Sequence, residues 1–216
     1  DIENGNFIVC LVPKIDTLTG EVGGAEAVVR YHHKDLGIVD PGRYLNMLEE
    51  TKLSHYLDLY VFEEVCKTLH KWEVRDIPMI PVSVNFAGAT LRQEGLADKM
   101  LHLIEKHHVR CEYLEVEVSE SSSDMNQEML AETSSKIRKG NVRVILDHFG
   151  AKDSSFSILS LMEFDGLKLD KSVISNIVGN GRSRIVAQAV IDICRQLGAS
   201  VQAAGVETQD QFNVLR

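Results

Sequence analysis

Five polar residues each follow a short apolar run in this chain, and the central three are spaced as in successive strand–helix units. They are Glu26, Asn85, Glu117, Asp147 and Lys168. Positions 85 and 117 lie 32 residues apart, and positions 117 and 147 lie 30 apart; one strand–helix unit takes roughly 30 residues. A barrel of such units places the ends of its strands around one mouth. We therefore expect these five side chains to share one pocket.

The apolar periodicity predicts an alternation of strands and helices, which indicates a parallel sheet. The predicted strands are Phe7–Lys14, Ala25–Tyr31, Ile80–Phe86, Tyr113–Val118, Val142–Asp147, Leu167–Leu169 and Ser200–Ala203. The predicted helices are Leu57–Lys71, Leu96–His107, Gln127–Lys139, Ser154–Met162, Arg184–Leu197 and a last one that starts at Thr208. We count about seven strands and no eighth, in one domain.

Composition limits the partners of this domain. The net charge is −9 and the isoelectric point is near 5.4, so nucleic-acid polymers and anionic membranes are disfavoured as partners. The four cysteines show no clustering that would predict disulfides or a zinc site. No apolar stretch has the length of a membrane span and no signal peptide is visible. We expect a cytoplasmic domain, and the start at Asp1 without a methionine suggests a fragment of a longer protein that is membrane-attached or free.

Six short motifs occur in order along the chain. They are Glu26-Ala27-Val28, Ser83-Val84-Asn85, Glu117-Val118-Ser119-Glu120, Asp147-His148-Phe149-Gly150, Leu167-Lys168-Leu169-Asp170 and Ala203-Ala204-Gly205-Val206-Glu207-Thr208. Together they resemble the EAL domain, the cyclic di-GMP phosphodiesterase family. The resemblance covers nearly the whole chain, residues 1–216, and implies a TIM-like (β/α)8 barrel whose first strand is antiparallel to the others.

The resemblance also implies a metal site. Residues matching Glu26, Asn85, Glu117 and Asp147 hold divalent cations, usually Mg²⁺ or Mn²⁺, in active members of the family. Oxygen donors of this kind also suit Ca²⁺. In those members two metals activate the water and stabilise the transition state while one phosphodiester of cyclic di-GMP is cut to give pGpG.

Other positions take their expected roles from the same resemblance. Lys168 is expected to orient the attacking water, and Arg30 with Val28 to contact the ligand. Glu120 is expected to steady the loop after Asp147. Glu207 is expected to support the metal site.

Several departures from the family pattern fall on the chemistry. His148 stands where active members carry a second Asp, and Ala204 stands where they carry a Glu. The loop motif T-G-Y is replaced by Ala151-Lys152-Asp153, and the last strand–helix unit with its Q-G-Y element is not found in the 216 residues. Losing acid–base help typically costs ~10²–10⁴ in rate. These departures favour a degenerate member with little hydrolysis.

Three interpretations stay open at this point. The first is a nucleotide-binding or regulatory module that signals through another protein, an attached domain or a homodimer. The second is an active phosphodiesterase with a rebuilt site, in which His148 is a metal ligand and shifts the metal preference away from Mg²⁺. The third is a protein-interaction module that binds no nucleotide. Of the single residues, we expect Glu115 to lie at the surface, and a second role stays open for Asn85, as the cap of a helix that starts near Gly88.

Overall fold

The strands form one eight-stranded sheet in a computed structural model that describes residues 5–119, 127–152 and 154–216. Their bounds are β1 (Phe7–Ile15), β2 (Val22–His33), β3 (Gly37–Val39), β4 (Val82–Phe86), β5 (Leu114–Ser119), β6 (Arg143–Phe149), β7 (Gly166–Leu169) and β8 (Ser200–Ala203). All seven predicted strands are present. The short β3 was not predicted, because three residues are too few to show an alternation.

The sheet has the topology expected of the barrel. Strand order is β1-β2-β4-β5-β6-β7-β8, with β3 paired to β2 outside this path. β1 is antiparallel to β2, whereas every pair from β2–β4 to β7–β8 is parallel. The sheet curves into a half-barrel of the α/β class, and among the described residues no pairing joins β1 to β8.

Helices connect the parallel strands. They are α1 (Pro41–Glu50), α2 (Ser54–Val74), α3 (Gly88–Leu91), α4 (Leu96–His107), α5 (Gln127–Lys139), α6 (Ile158–Leu161), α7 (Lys171–Ile174), α8 (Gly181–Leu197) and α9 (Gln209–Leu215). The predicted bounds of α4 and α5 are confirmed, as is the stop of α8 at Gly198, which has a φ of 74°.

The other helices differ from the prediction in length or were missed. α8 begins earlier than predicted because Asn180 caps it by accepting from the Arg182 N–H. α1 was missed, although Asp40 before Pro41 is a recognisable start signal. Within the described ranges, no helix is both long and apolar enough to cross a membrane.

The apolar core lies between the outer faces of the strands and the helices. In β4 the buried Val82, Val84 and Phe86 face outward, and the ring of Phe86 meets that of Phe62 on α2 edge to face at 5.9 Å. Burying a side chain of this kind contributes about 1.5–3 kcal/mol. Because side chains alternate along a strand, residues 83 and 85 face inward, where the sheet carries polar groups.

Gly166 lies beneath those polar groups, at a point where no side chain would fit. A Cβ at Gly166 would lie 2.7 Å from Ile145 Cδ1 and 2.7 Å from Ser200 Oγ, which is closer than atoms can pack. The interior is therefore closely packed at the level of Gly166.

Candidate functional site

Strand register brings the predicted polar residues to one end of the barrel. In the parallel ladders Glu26 pairs with Ser83, and Asn85 pairs with Glu117. Residues paired in register project from the same face of the sheet. The Asn85 amide nitrogen donates to Glu26 Oε1 at 2.8 Å, so the prediction that these ends converge is confirmed by direct contact.

Lys168 lies at the centre of the carboxylates. Its Nζ donates to Glu26 Oε2 at 2.7 Å and to Glu117 Oε2 at 2.8 Å, and it lies 3.8 Å from Asp147 Oδ2. One ammonium group therefore faces three carboxylates that come from three different strands. All five residues predicted to share a pocket are brought together.

A second lysine reaches the site from β1. Lys14 Nζ donates to Glu117 Oε1 at 3.0 Å, and the Ser83 hydroxyl donates to the same oxygen at 2.6 Å. Both oxygens of Glu117 are thus occupied, since Lys168 holds the other one. The sequence analysis missed Lys14 and Ser83, although Ser83 lies two residues before Asn85 on the same strand face.

Glu115 is not at the surface, and that prediction was wrong. It is only 4% exposed, because it faces the barrel interior two residues before Glu117. Arg143 at the start of β6 lies 2.7 Å from its Oε1, and Lys14 lies 3.4 Å from its Oε2. Two cations therefore make the burial of this carboxylate tolerable.

These ion pairs form one connected group, which we term the interior charge column. It consists of Arg143, Glu115, Lys14, Glu117, Lys168, Glu26 and Asp147. Four carboxylates face three cations, so the column carries one net negative charge when all its members are ionised. The excess lies at the mouth, where three carboxylates share the ammonium of Lys168.

The pKa values of Glu117, Asp147 and Lys168 reflect how the carboxylates and cations of the column are placed. Burial raises the pKa of Glu117, but Lys14 and Lys168 outweigh it and bring that pKa to about 2. Burial, together with the charge of Glu117, raises the pKa of Asp147 despite the nearby Lys168 and His148. Burial lowers the pKa of Lys168, but the three carboxylates raise it by more. The pKa therefore lies above its ordinary value, and this group stays charged. Of the three carboxylates around Lys168, Asp147 lies farthest from the ammonium, at 3.8 Å.

His148 lies beside the column in a strained backbone conformation. Its φ is 56°, a region that is uncommon for residues other than glycine. Nδ1 lies 3.1 Å from Asp170 Oδ2, and Nε2 lies 3.5 Å from Asp147 Oδ2. Asp170 also accepts from the Ser172 N–H at the start of α7. Burial would raise the pKa of Asp170, but these hydrogen bonds bring it to about 2.

A buried acid on α2 fixes the loop that follows Asn85. Asp58 accepts from the Ala87 N–H at 2.8 Å and from Thr90 Oγ1 at 2.5 Å. Burial raises the pKa of Asp58 to about 6, against the effect of these two hydrogen bonds. The helix expected near Gly88 is present as α3, but its capping position is Ala87 and not Asn85.

The remaining predicted residues lie near the mouth or apart from it. Val28 and Arg30 follow Glu26 on the same face of β2, and Arg30 Nη1 donates to the Val29 carbonyl at 2.9 Å. Ala204 follows β8, and its N–H donates to the Leu169 carbonyl at 3.0 Å.

The roles expected for Glu207 and Glu120 have no support in the described contacts. Glu207 is exposed, and its N–H donates to Gln211 Oε1 at the start of α9; no contact described here joins it to the column. Glu120 lies outside the described residues, as does Asp153 of the altered loop.

The donor set can be tested against the metal that the resemblance implies. The oxygens of Glu26, Asn85, Glu117 and Asp147 suit one Mg²⁺, Mn²⁺ or Ca²⁺ by chemistry. In the described part of the chain, however, no group of three or more His, Cys, Asp or Glu side chains is arranged to hold a metal. One divalent ion would turn the single negative charge of the column positive, and a second would leave it with three positive charges. By this charge count, which leaves out the adjoining His148 and Asp170, one divalent ion is favoured over two.

Comparison with known families and curated proteins gives consistent results. The family model described as the EAL domain matches residues 1–216. Cyclic di-GMP phosphodiesterase NbdA of Pseudomonas aeruginosa is 30% identical over 204 residues, which cover 94% of this chain and 26% of that protein. Cyclic di-GMP phosphodiesterase PA2567 of the same species is 29% identical over 210 residues, covering 97% and 36%. The chain thus spans only a quarter to about a third of these relatives.

Solved structures have the same fold. The phosphodiesterase PaMucR in complex with c-di-GMP superimposes with a TM-score of 0.90 at 24% identity, covering 99% of this chain and 87% of that one. The EAL domain of Xanthomonas citri FimX in complex with c-diGMP gives a TM-score of 0.88 at 16% identity, covering 99% and 84%.

Proposed function

This chain belongs to the EAL domain family of cyclic di-GMP signalling, and from that membership we propose that it is a nucleotide-binding regulatory module with little or no phosphodiesterase activity. We further propose that residues 1–216 act as one EAL-type domain of a longer cytoplasmic or membrane-attached protein. Its output passes to an attached signalling domain, another protein or a second copy of the chain.

The observation that carries this proposal is the charge balance of the interior column. Phosphodiesterases of this family generally depend on divalent metals, and the two-metal mechanism needs enough negative charge to hold both ions. Here one net negative charge remains, because Lys14, Arg143 and Lys168 already compensate three of the four carboxylates.

The two departures from the family motif account for the missing charge. An Asp at position 148 and a Glu at position 204 would add two negative charges at the mouth, whereas this chain has an imidazole and a methyl group there. With those carboxylates present, two divalent ions would leave the site near neutrality. Without them, the second ion has no ligand of its own.

Binding does not need the second metal. Lys168 and Arg30 are the cations that the mouth can direct at ligand phosphates, with Val28 beside them on β2. A bound divalent cation would be held by Glu26, Asn85, Glu117 and Asp147, and would supply Lewis-acid polarisation of a phosphate oxygen. The proposed ligand is cyclic di-GMP, the molecule present in the PaMucR and FimX complexes.

Calorimetry with the 216-residue chain tests binding directly. We expect heat of binding when cyclic di-GMP is titrated in the presence of EDTA, and a loss of affinity in the Arg30→Gln variant. The exposed Arg182 gives the matched control, Arg182→Gln, which should bind as the wild type does. Absence of binding by the wild type at millimolar nucleotide would leave the protein-interaction interpretation in its place.

A product assay tests the second half of the proposal. With Mg²⁺ or Mn²⁺ the wild type should form no pGpG above background, and the double variant His148→Asp with Ala204→Glu should recover turnover. Each single variant should recover little, because residues that act as one unit are strongly non-additive. Wild-type turnover of roughly 1 per second or more, within the usual range of kcat, would refute the claim of lost activity.

One observation favours a second candidate, an active enzyme with a rebuilt site. The contact of His148 Nδ1 with Asp170 at 3.1 Å leaves Nε2 beside Asp147, and a carboxylate behind an imidazole is the usual support of a metal-bound histidine. Imidazole prefers Mn, Fe, Ni or Zn over Mg. Hydrolysis that appears only with such ions, and disappears in His148→Gln, would support this candidate.

A further inference from the structure

β8 carries a buried amide whose oxygen has no partner. The side-chain oxygen of Gln202 is buried, and it has no hydrogen-bond partner within the described structure. Nearly all buried polar groups are paired in native proteins, so an unpaired one calls for a specific explanation such as a water or a ligand. Nothing in the motifs of the chain pointed to this residue.

Strand register places Gln202 at the level of the candidate site. Leu146 pairs with Leu167 before the register of these strands shifts, and Lys168 Nζ lies 3.8 Å from Asp147 Oδ2. Lys168 in turn pairs with Gln202 on β8. Paired residues share a face of the sheet, and Lys168 points into the interior toward its carboxylates. Gln202 therefore lies on the interior face, next to Lys168.

Ala204 lies beyond Gln202 on the side of the mouth. The Ala204 N–H donates to the Leu169 carbonyl at 3.0 Å, which extends the ladder of β8 by one residue. Residues two apart on a strand share a face, so Ala204 presents its methyl group on the same face and nearer the mouth. Because the Gln202 oxygen is buried, a ligand or a water reaches it only when neighbouring side chains at the mouth move.

The chemistry of an amide oxygen limits what can pair with it. It accepts hydrogen bonds or binds a cation. A cation is disfavoured here because the ammonium of Lys168 occupies the neighbouring position and is itself held by Glu26 and Glu117. A neutral donor, a hydroxyl or an N–H, is favoured instead. A cyclic dinucleotide carries ribose hydroxyls and base N–H groups beside its phosphates.

We propose that Gln202 is a ligand-binding residue of this site, whose side-chain oxygen accepts a hydrogen bond from a hydroxyl or N–H of the bound dinucleotide, directly or through one water. This inference rests on the proposed function, because it takes cyclic di-GMP as the ligand. It adds a contact on β8, the strand that carries Ala204 just beyond its end.

The test uses Gln202→Met in the 216-residue chain, because methionine keeps the unbranched shape and removes the acceptor. Cyclic di-GMP affinity is measured by calorimetry in EDTA, and the melting temperature is measured without ligand. We expect the dissociation constant to rise roughly two- to tenfold, the range that one neutral hydrogen bond is worth. The ligand-free variant should melt at the wild-type temperature or above, since it loses an acceptor that has no partner.

Gln196→Met on the exposed face of α8 is the matched control and should change neither quantity. Equal affinity of wild type and Gln202→Met overturns this inference alone and leaves the proposed function standing. A ligand-free Gln202→Met variant that melts several degrees lower also overturns it, because the amide would then serve the fold. No binding by the wild type overturns this inference together with the proposed function.

Discussion

The two ends of the barrel handle charge in opposite ways. At the amino end, Arg138 on α5 donates two hydrogen bonds to Asp165 at 3.0 Å each and one to Glu163 at 2.8 Å. Asp165 also accepts from the Val144 N–H at 2.9 Å. At the carboxyl end, the single ammonium of Lys168 faces three carboxylates. Its Nζ lies 3.8 Å from Asp147 Oδ2.

Cavity size would point to the wrong end. The larger cavity, about 400 Å³, lies at the amino end and is lined by residues that include Arg138, Arg143, Glu163 and Asp165. These side chains already form ion pairs with one another or with the column, so their charges serve the fold. The cavity beside Asp147 and His148 is smaller, but three carboxylates share one ammonium there and His148 has a positive φ. The site proposed above lies at this carboxyl end, where barrel enzymes carry their active sites.

Replacing the central cation should have the largest effect. Lys168→Met leaves the buried Glu117 with one lysine and the other two carboxylates with none, and breaking a buried pair of this kind costs about 3–5 kcal/mol. We expect that loss in the free energy of unfolding at pH 7 in EDTA, measured by urea denaturation. Millimolar Ca²⁺ should recover part of the stability, because a cation can then take the place of the ammonium.

The matched control for this change is Lys139→Met, at an exposed position of the last turn of α5. It should alter stability by less than about 0.5 kcal/mol, as surface substitutions usually do. If Lys168→Met behaves like this control, the interior charge column is not held together by Lys168.

The next effect concerns the buried acid that fixes the loop after Asn85. The pKa of Asp58 in the folded protein is about 6, above its ordinary value of 3.8. The folded state therefore binds the proton more tightly, and stability falls as pH rises from about 4 to about 6. Two units of pKa correspond to about 3 kcal/mol.

Asp58→Asn removes this titration while keeping an acceptor for Ala87 and Thr90. The difference in unfolding free energy, wild type minus variant, should therefore fall by about 3 kcal/mol between pH 4 and pH 7. Denaturation curves at several pH values measure it. A difference that stays constant across this range would mean that Asp58 has an ordinary pKa and is more exposed to water than the structure indicates.

A smaller effect is expected at the amino end. Arg138→Met removes charged hydrogen bonds to Asp165 and Glu163 that are partly exposed to solvent, so we expect a loss of about 1–2 kcal/mol. Unlike the loss in Lys168→Met, it should not be recovered by Ca²⁺, and cyclic di-GMP affinity should not change. Recovery by Ca²⁺ in both variants would remove the contrast between the two ends.

Local patterns predicted the alternation of strands and helices, and the barrel and its antiparallel first strand were expected from the motif resemblance. The intervals of 32 and 30 residues between positions 85, 117 and 147 indicate successive strand–helix units without knowledge of their contacts. The burial of Glu115 was not predicted in this way. Its neighbours are Lys14 of β1 and Arg143 of β6, which reach it only in the folded sheet.

The same limit applies to the other residues that the sequence analysis missed. Gln202 stands out only through the register of β7 and β8, since a single glutamine in a short strand shows no pattern. Lys14 follows Pro13 at the end of an apolar run, as Lys168 follows Gly-Leu, and could have been found by the same rule. The motifs also located the departures at His148 and Ala204, because a substitution within a known pattern is visible before any contact is.

The most direct test of this account is the number of Mn²⁺ ions bound per chain at saturating cyclic di-GMP, measured by electron paramagnetic resonance titration. The charge of the interior column predicts at most one ion in the wild type and two in the double variant His148→Asp with Ala204→Glu. Two tightly bound ions in the wild type would contradict the account, because the lysines of the column would then not be limiting the metal.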